Sequence, residues 1–456
     1  MKSSRACTGS KVNAIPTVHF ESESQMTGYS GLVLIAALVR RLRLRARLRA
    51  CFAHLDTESI FADGVVYLLL IVQLMLGWTR LRDVSMMRAD PLLKRVVGLT
   101  VIPSASSLSR MLSAKDRRSL ERVHHLNTAL VVERLVAENL KTITIDGDGS
   151  VQSSTAHAQG TAVGFNKTKK GARSYYPLFS TIAQTGQIFD MLHRPGNVHD
   201  STGAGPFMQH CIETLRKHLP KARIESRFDS AFFSFDFIRR LDEARVDFSI
   251  SVPFARWPAL KGEIESCSNW QRVNETWSVC ESRWKPKSWP RGFRVLLVRK
   301  RNKVQHKGPL QLDLFAPRSY KYEYKVIVTN KRQTPGAVLH FHNGRGTQEK
   351  LLGEGKQAVG LGRVATKTQR GNELFTMASI LAHNLGREMQ MVADKPIRST
   401  SYKRPAKWLF RSLETMQKRL FHRVGRLVRP QGKLTLKIAA QPDEQKVFEH
   451  YINALR

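Results

Sequence analysis

The order of the elements between residues 141 and 252 constrains the fold of this chain more than any other sequence feature. β-rich runs and helical patterns follow one another there in the order β-β-β-α-β-α-β, and residues 173–182 and 187–192 flank a Gln-Thr-Gly turn that is typical of a hairpin. Such a mixture predicts an α/β domain in which helices pack on a sheet. Helical patterns dominate before this region and in the C-terminal part of the chain.

Acidic residues stand where two of these predicted strands end. Residues 142–145 lead into Asp146 and Asp148, and residues 222–228 stop at Asp229. Because neighbouring strand ends of one sheet lie at the same edge, we expect these side chains to approach one another. Asp146 and Asp148 are two residues apart and face the same side of a continuing strand, so either is a candidate for the first acid.

The segment from His342 to Lys356 supplies a third acid. If it is helical, Arg345 and Glu349 lie four residues apart and Lys356 lies seven beyond Glu349, which puts the three charges on one face. Taken alone, the pattern equally describes a solvated ion pair worth about 0.2–0.5 kcal/mol. Together with the strand-end acids it indicates a metal site, because three carboxylates repel one another unless they hold hard divalent cations. Two such ions about 4 Å apart can activate a nucleophile and stabilise the leaving oxygen of a phosphodiester.

The net charge points to a polyanionic partner. Among 456 residues, 74 Lys and Arg face 37 Asp and Glu, which gives a formal net charge of +37. Nucleic acid is the first candidate, and an anionic membrane surface is the competing one. The most apolar run, residues 65–76, is too short to span a bilayer and predicts a buried helix. Five scattered cysteines form no CxxC motif, as is typical of reduced thiols in a cytosolic protein.

Five motifs accompany the three acids in a fixed order. They are Asp148-Gly-Ser150, the basic stretch 164–178 (GFNKTKKGARSYYPL), Arg194-Pro-Gly-Asn197, Arg227-Phe-Asp229-Ser230, and the segment 342–356, in which Arg345, Glu349 and Lys356 stand in a Tyr-x2-Arg-x3-Glu-x6-Lys register. In this order they resemble the motifs of bacterial insertion-sequence DDE transposases of the Tyr-Arg-Glu-Lys signature type. The ordered motifs cover roughly residues 146–356, and the helical flanks match more loosely.

The resemblance implies a fold and an activity. The fold is a ribonuclease-H-like mixed α/β sheet with helices, a β-rich insertion before the last catalytic acid, and flanking all-α regions. The activity is cut-and-paste DNA transposition: the protein binds the terminal inverted repeats of its own element, cleaves DNA in a metal-dependent reaction and transfers the freed 3′-hydroxyl to a target. Whether hairpin intermediates form is left open. A bacterial, cytoplasmic and nucleoid-associated protein that acts as a homodimer on double-stranded DNA, with no membrane partner, is expected.

The resemblance also divides the chain. Residues 1–25 are predicted to be a disordered N-terminus and residues 26–140 a helical DNA-binding domain. Residues 141–392 are predicted to form the catalytic core, with the β insertion at about 256–320, and residues 393–456 a basic helical C-terminal region.

The matched positions carry the expected roles. Asp148, Asp229 and Glu349 would be the catalytic acids and hold two Mg²⁺ ions, with Mn²⁺ as a substitute; Asp148 is favoured over Asp146 by the Asp-x-Ser match. The expected DNA contacts are Arg345 and Lys356 on the signature segment, His342 in place of its tyrosine, and Lys169, Lys170 and Arg173 (beside Lys167) in the basic stretch. A charge run is more often a solvated face, so the basic stretch is the weaker of these predictions.

The insertion and the signature segment leave alternatives open. Five tryptophans in the insertion are expected mainly in a core, although one could stack on a displaced base. A basic run from Arg283 to Lys303 fits either a solvated face or a contact with a phosphate backbone.

Three glycines, Gly346, Gly353 and Gly355, weaken the helix of Glu349 by up to about 1 kcal/mol each. A catalytically inactive DNA-binding repressor derived from a transposase is therefore the alternative function.

Overall fold

The computed structural model describes residues 24–55, 59–154, 156–164, 166, 169–302, 322–398 and 407–456. Residues 1–23 of the predicted N-terminal segment, Lys167 and the end of the insertion from Lys303 lie outside the described residues. The strands are β1 (Met26–Thr27), β2 (Thr142–Gly149), β3 (Gln152–Ser153), β4 (Ala162–Val163), β5 (Arg173–Tyr175), β6 (Leu178–Ile182), β7 (Gln187–Leu192), β8 (Arg223–Phe228), β9 (Asp247–Ser251), β10 (Gln271–Arg272), β11 (Trp277–Ser282), β12 (Arg294–Arg301), β13 (Tyr322–Thr329), β14 (Gly425–Val428) and β15 (Thr435–Ile438).

The helices alternate with these strands in the middle of the chain and dominate both ends. They are α1 (Leu32–Arg41), α2 (Leu44–Phe52), α3 (Asp63–Met75), α4 (Pro91–Val97), α5 (Ala105–Ser113), α6 (Arg117–Ala137), α7 (Ala204–His218), α8 (Phe235–Glu243), α9 (Pro258–Ser266), α10 (Pro335–Asn343), α11 (Gly346–Ala358), α12 (Gln369–Ala393), α13 (Leu413–Met416) and α14 (Pro442–Leu455). None of the described helices is long and apolar enough to cross a bilayer.

Nine strands form one mixed sheet in the order β10-β11-β12-β13-β9-β8-β2-β6-β7. β2 runs parallel to β8, and β8 runs parallel to β9, while β6 is antiparallel to both β2 and β7. The predicted hairpin is therefore β6–β7, and the predicted α/β class with a ribonuclease-H-like mixed sheet is confirmed. β2 lies inside the sheet, with β8 beside it.

Apolar residues cover both faces of this sheet. Leu178 and Ile182 of β6 pack with α7 and α8, whereas the intervening Phe179 packs with α11 and α12. Successive side chains of a strand point to opposite faces, so a run of consecutive apolar residues is what a strand needs when helices cover both sides. Burial of each side chain of this size contributes about 1.5–3 kcal/mol to the free energy of unfolding, relative to leaving it exposed.

The β-rich insertion extends the sheet. β13 pairs antiparallel with β9, and β12, β11 and β10 follow outward in antiparallel order. Trp284 and Trp289 are buried in the same core as α8, and Trp257 and Trp270 pack partly buried against it. The core prediction for most of the insertion tryptophans is thus confirmed.

The two ends of the chain form one helical body around α12. α12 contacts α3, α5, α6 and α14, and the phenol of Tyr67 on α3 donates a hydrogen bond to the Leu374 carbonyl on α12 at 2.8 Å. α3 contains residues 65–75 of the apolar run and is buried, as predicted. The flanks are not all-α as predicted, because they also hold a small sheet in which β14 pairs with β1 and with β15.

Candidate active site

The three predicted acids lie on three elements and form one electrostatic cluster, here called the acidic triad (Asp148, Asp229 and Glu349). Asp148 is the penultimate residue of β2, Asp229 directly follows β8, and Glu349 lies in the first turn of α11. Arg345 bridges two of them: its Nη2 lies 2.8 Å from the Glu349 Oε1, and its Nη1 lies 3.8 Å from the Asp148 Oδ2. The expected Arg–Glu pair therefore forms and reaches the end of β2.

Asp229 also has a local structural role. Its Oδ1 accepts a hydrogen bond from the Ala231 backbone N–H at 2.9 Å and caps the short helical turn that follows β8. Its backbone is extended (φ −81°, ψ −175°), so the pleat of β8 continues to this residue. Capping occupies Oδ1 and leaves Oδ2 for other partners.

Asp146 occupies a different environment from Asp148. It is 1% exposed, and its two oxygens accept hydrogen bonds from Nε and Nη2 of Arg227 at 2.7 and 2.5 Å. Burial raises the pKa of Asp146, and the Arg227 guanidinium opposes that rise. Because this carboxylate is already paired in the interior, the geometry favours Asp148 as the first acid.

The electrostatics of Asp148 reflect its surroundings. Burial raises the pKa of Asp148 to about 7, the charges of Asp229, Asp200 and Glu349 add to the rise, and Arg345 opposes it. Like charges on neighbouring elements disfavour ionisation unless a cation lies among them. The site is therefore poised to take up positive charge.

The donor set fits the implied metal by its chemistry. Among the residues that the structure describes, no group of three or more His, Cys, Asp and Glu side chains is arranged to hold a metal ion. The acidic triad nevertheless suits a hard divalent cation, because carboxylate oxygens are the ligands that Mg²⁺ takes. The raised pKa of Asp148 supports the fit, since a bound cation would relieve the repulsion that causes part of it.

A fourth carboxylate at this site was missed from the sequence. Asp200 accepts a hydrogen bond from the Tyr176 phenol at 3.0 Å, and its Oδ1 lies 3.7 Å from the Arg194 Nη2. A Cβ on Gly149 would collide with Asp200 and Tyr176, so only glycine fits beside Asp148 at this point. Asp200 lies in the loop between β7 and α7, where no strand end or helical spacing marks it in the sequence. Only the tertiary structure brings it close to the other acids.

The helix of Glu349 forms in spite of its glycines. α11 runs from Gly346 to Ala358, so the predicted helix forms from Gly346 onward, whereas His342 belongs to the end of α10. One glycine in the preceding turn is required by packing, because a Cβ on Gly344 would collide with the Arg227 guanidinium. The signature segment is thus shaped around the buried arginine of β8.

His342 requires a correction. The sequence predicted a DNA contact, but the imidazole is 2% exposed and lies 2.9 Å from the Ser251 Oγ and 3.0 Å from the Ser249 Oγ, both on β9. Burial lowers its pKa to about 3, and the cations Lys325, Arg345 and Arg227 add to the fall. A buried, neutral ring with both nitrogens occupied anchors α10 to the sheet and does not face a phosphate.

The other predicted DNA contacts differ in exposure. Lys169 and Lys170 are exposed. Arg173 donates to the Thr161 side chain at 3.1 Å and to the Thr161 carbonyl, so its guanidinium is partly committed within the protein. Lys356 is half-buried near the acids: burial lowers its pKa, and Asp148 opposes the fall.

The basic run of the insertion is partly neutralised within the protein. Arg294 pairs with Glu281 at 2.5 Å, and Arg299 lies between the rings of Trp270 and Tyr322, 4.6 and 4.7 Å from their centroids. Glu281 therefore neutralises part of the charge of the run, whereas Arg299 keeps its charge while its guanidinium lies against two rings.

Two solved structures resemble this chain at low identity. A cryo-EM structure of the piggyBac transposase synaptic complex with hairpin DNA is 12% identical, with a TM-score of 0.44 over 86% of this chain and 79% of that one. The Mos1 transposase paired-end complex with the left transposon end is 11% identical, with a TM-score of 0.19 over 43% of this chain and 60% of that one. No protein with a curated description matches the sequence.

The family match is more extensive. The sequence matches the family described as "Transposase DDE domain group 1" over residues 16–456, nearly the whole chain. The DDE transposases as a family cleave and join DNA and generally use divalent metal ions. This chain belongs to the transposase DDE domain group 1 family.

Proposed function

We propose that this protein is the transposase of a bacterial insertion sequence of the Tyr-Arg-Glu-Lys type. It binds the terminal inverted repeats of its element and catalyses metal-dependent cleavage and strand transfer. The observation that carries the proposal is the placement of three carboxylates at the end of β2, directly after β8 and on α11, with Arg345 between Asp148 and Glu349. Burial, and after it the charges of Asp229, Asp200 and Glu349, raise the pKa of Asp148 to about 7. Like-charged carboxylates at this position cost stability unless cations compensate them, and Arg345 is a single positive charge among them.

The acidic triad would hold two Mg²⁺ ions, with Mn²⁺ as a substitute. When bound, such ions supply an activated oxygen nucleophile and stabilise the oxygen that leaves phosphorus. In the first step the oxygen of water bonds to phosphorus, the bond from phosphorus to the 3′-oxygen breaks, and that oxygen takes up a proton. In the joining step the freed 3′-hydroxyl loses its proton as its oxygen attacks a target phosphodiester, and the target's own 3′-oxygen leaves.

Basic residues of the signature segment would hold the scissile strand. Arg345 lies among the acids, and the charge of Asp148 acts on the pKa of Lys356, so both are close enough to neutralise a phosphate delivered there. Lys169 and Lys170 are exposed, and the chain carries a net charge of +37, which supports double-stranded DNA, both element ends and target, as the partner. Because two ends must be joined to one target, a homodimer on DNA in the bacterial nucleoid follows from the proposal.

The experiment is a nicking assay on a duplex that carries the inverted repeat bordering the gene. The purified full-length protein with Mg²⁺ is expected to nick the repeat end, and Glu349→Ala is expected to abolish nicking while DNA binding stays within about twofold. Glu121→Ala is the matched control: Glu121 is 60% exposed and pairs with Arg117 at i,i+4, as Glu349 (57% exposed) pairs with Arg345. Normal nicking by Glu349→Ala would overturn the site assignment.

The same assay separates the alternative function. A wild-type protein that binds the repeat specifically but shows no cleavage with Mg²⁺ or Mn²⁺ would be the inactive repressor. Binding measured by fluorescence anisotropy, at stated salt concentration, is needed beside the cleavage readout because the net charge alone produces non-specific binding.

A further inference from the structure

We propose that a buried layer below the acidic triad, made of Asp146, Arg227 and Gln348, sets the relative positions of the three acids. The inference rests on the function proposed above and concerns how its site is held. None of the three members has a surface to offer to DNA, since each is at most 7% exposed. They act through the residues beside them and are positioning residues.

The first contact of this layer ties two strands together. Asp146 and Arg227 are direct register partners on the parallel strands β2 and β8, joined by the two hydrogen bonds at 2.7 and 2.5 Å. Each lies two residues before a triad acid, and side chains two apart on a strand share a face. The pair therefore lies about 6–7 Å along the strands from Asp148 and Asp229. A bidentate guanidinium–carboxylate contact fixes orientation as well as distance.

The second contact ties the arginine to the third element. The Nη1 of Arg227 donates a hydrogen bond to the Phe341 carbonyl of α10 at 3.1 Å, and the guanidinium lies 5.3 Å from the centroid of the Phe341 ring. The turn that leads into α11 approaches so closely that a Cβ on Gly344 would collide with the same guanidinium. One arginine thus contacts the strand of the first acid and the turn before the third.

The third contact ties α11 back to the sheet. The Gln348 Nε2 donates to the Asp146 carbonyl of β2 at 3.1 Å and to the Phe179 carbonyl of β6 at 3.4 Å. Gln348 is 2% exposed and immediately precedes Glu349. Gln348, which anchors α11 to the sheet, directly precedes Glu349 of the acidic triad. A shift of Gln348 would therefore move Glu349 with it.

These three contacts close a loop through β2, β8 and the α10–α11 segment. An ion pair of this burial is poorly explained by stability alone, because replacing such a pair with well-packed apolar side chains is often neutral or stabilising. Its geometric value is larger, since a displacement of about 1 Å at a reacting centre can cost 10²-fold in rate. Through this layer, the pairing of β2 with β8 sets the distances between the three acids.

The test compares Asp146→Asn with Asp63→Asn in the full-length protein. Both changes are isosteric and leave a buried cation without its carboxylate, because Asp63 pairs with Lys115 at 2.6 Å and the two side chains are 7% and 4% exposed. Asp63 opens α3, away from the triad. The measurements are the melting temperature, the affinity for the repeat duplex, the single-turnover nicking rate in saturating Mg²⁺, and Mn²⁺ binding followed by electron paramagnetic resonance.

We expect the two variants to melt at comparably lowered temperatures and to bind the duplex within about twofold of wild type. Below both transitions, Asp146→Asn is expected to lose about 100-fold in nicking rate and to bind Mn²⁺ at least several-fold more weakly, whereas Asp63→Asn keeps both. Arg227→Lys is the second variant, to be used if Asp146→Asn fails to fold, because it keeps the positive charge and removes the bidentate guanidinium. It is expected to lose about tenfold in nicking rate with DNA affinity unchanged.

Two outcomes contradict different claims. A folded Asp146→Asn or Arg227→Lys protein with wild-type nicking and Mn²⁺ binding overturns the positioning role and leaves the proposed function intact. A wild-type protein that neither binds Mn²⁺ nor nicks the repeat overturns the proposed function, and the positioning role falls with it.

Discussion

Asp146 and Asp148 lie two residues apart on one strand and have the same side chain, yet the protein treats them in opposite ways. Asp146 is enclosed with a bidentate arginine, whereas Asp148 lies at the end of the strand among three other carboxylates. A buried charge with its partner is compensated within the fold, whereas a carboxylate among like charges favours a cation beside it. The difference shows that two residues one pleat apart on a β-strand can have opposite electrostatic surroundings.

The largest effect that tests this comparison is on catalysis. Asp148→Asn is expected to reduce nicking at least about 10³-fold, because it removes a charged ligand from the proposed metal site. The same change should raise the free energy of unfolding of the metal-free protein at pH 8 by on the order of 1 kcal/mol, since a carboxyl whose folded pKa is about 7 is destabilising once ionised. Urea denaturation in EDTA and single-turnover nicking measure the two effects; a destabilised, active variant would contradict both.

The next effect is on stability in the buried layer. Arg227→Met is expected to lower the free energy of unfolding by about 3–5 kcal/mol, because the buried Asp146 carboxylate loses its partner. Arg345→Met at pH 6 is the control, since its partner Glu349 is 57% exposed and its neighbour Asp148, with a pKa of about 7, can take up a proton; the change should alter stability by less than about 1 kcal/mol. Equal losses in urea denaturation would remove the distinction between the two layers.

The pKa of His124 predicts how the free energy of unfolding depends on pH. The His124 Nδ1 lies 2.6 Å from the Asp190 Oδ1, and its Nε2 lies 3.5 Å from the Glu373 Oε1. Burial lowers the pKa of His124, and a positive charge on the nearby His193 would lower it further. The two carboxylates outweigh both effects and raise the pKa to about 10. The folded protein then holds a proton that the unfolded chain loses above pH 6.5. The free energy of unfolding should therefore fall by about 1.4 kcal/mol per pH unit between about 6.5 and 10.

The measurement for this prediction is urea denaturation across that pH range in wild type and in His124→Asn. The variant lacks the titrating group, so the difference between the two should be greatest below pH 6.5 and shrink as the pH rises to 10. A difference that does not change with pH would show that His124 is neutral in the folded protein.

The smallest effect concerns the helix that carries Glu349. A Cβ on Gly353 would have no atom within 4 Å, so Gly353→Ala should stabilise α11 and raise the free energy of unfolding by up to about 1 kcal/mol. Gly355→Ala is expected to gain less, because its Cβ would lie 3.0 Å from the Leu361 side chain. Calorimetric melting of both variants compares them, and a larger gain at Gly355 would go against the packing described for this helix.

Much of the site follows from local pattern. β-rich runs that end in acids identified β2 with Asp146 or Asp148 and β8 with Asp229, and the Asp-x-Ser match favoured Asp148. The i,i+4 spacing identified the Arg345–Glu349 pair on α11. These features depend on backbone geometry over a few residues, which the chain carries wherever it folds. The glycines of α11 suggested a weak helix, but packing against the sheet holds it.

Other residues of the site could not be assigned from local pattern. Asp200 reaches the triad from a loop, and the side chain of His342 turns inward to two serines on β9. Asp146 and Asp148 share a face of β2, and which of them is paired and which is open depends on Arg227 of the neighbouring strand. These are long-range contacts, and no spacing along the chain encodes them.

The sequence by itself determined the order of the elements, the acids at the strand ends and the basic character of the protein, because residue composition, spacing and charge are local properties. Only the tertiary structure decided which acids are paired and which are open, because that depends on β2 and β8 lying side by side with Asp146 opposite Arg227. The energy of a carboxylate is set by its surroundings, and in this protein the surroundings of two identical side chains differ across a single pleat.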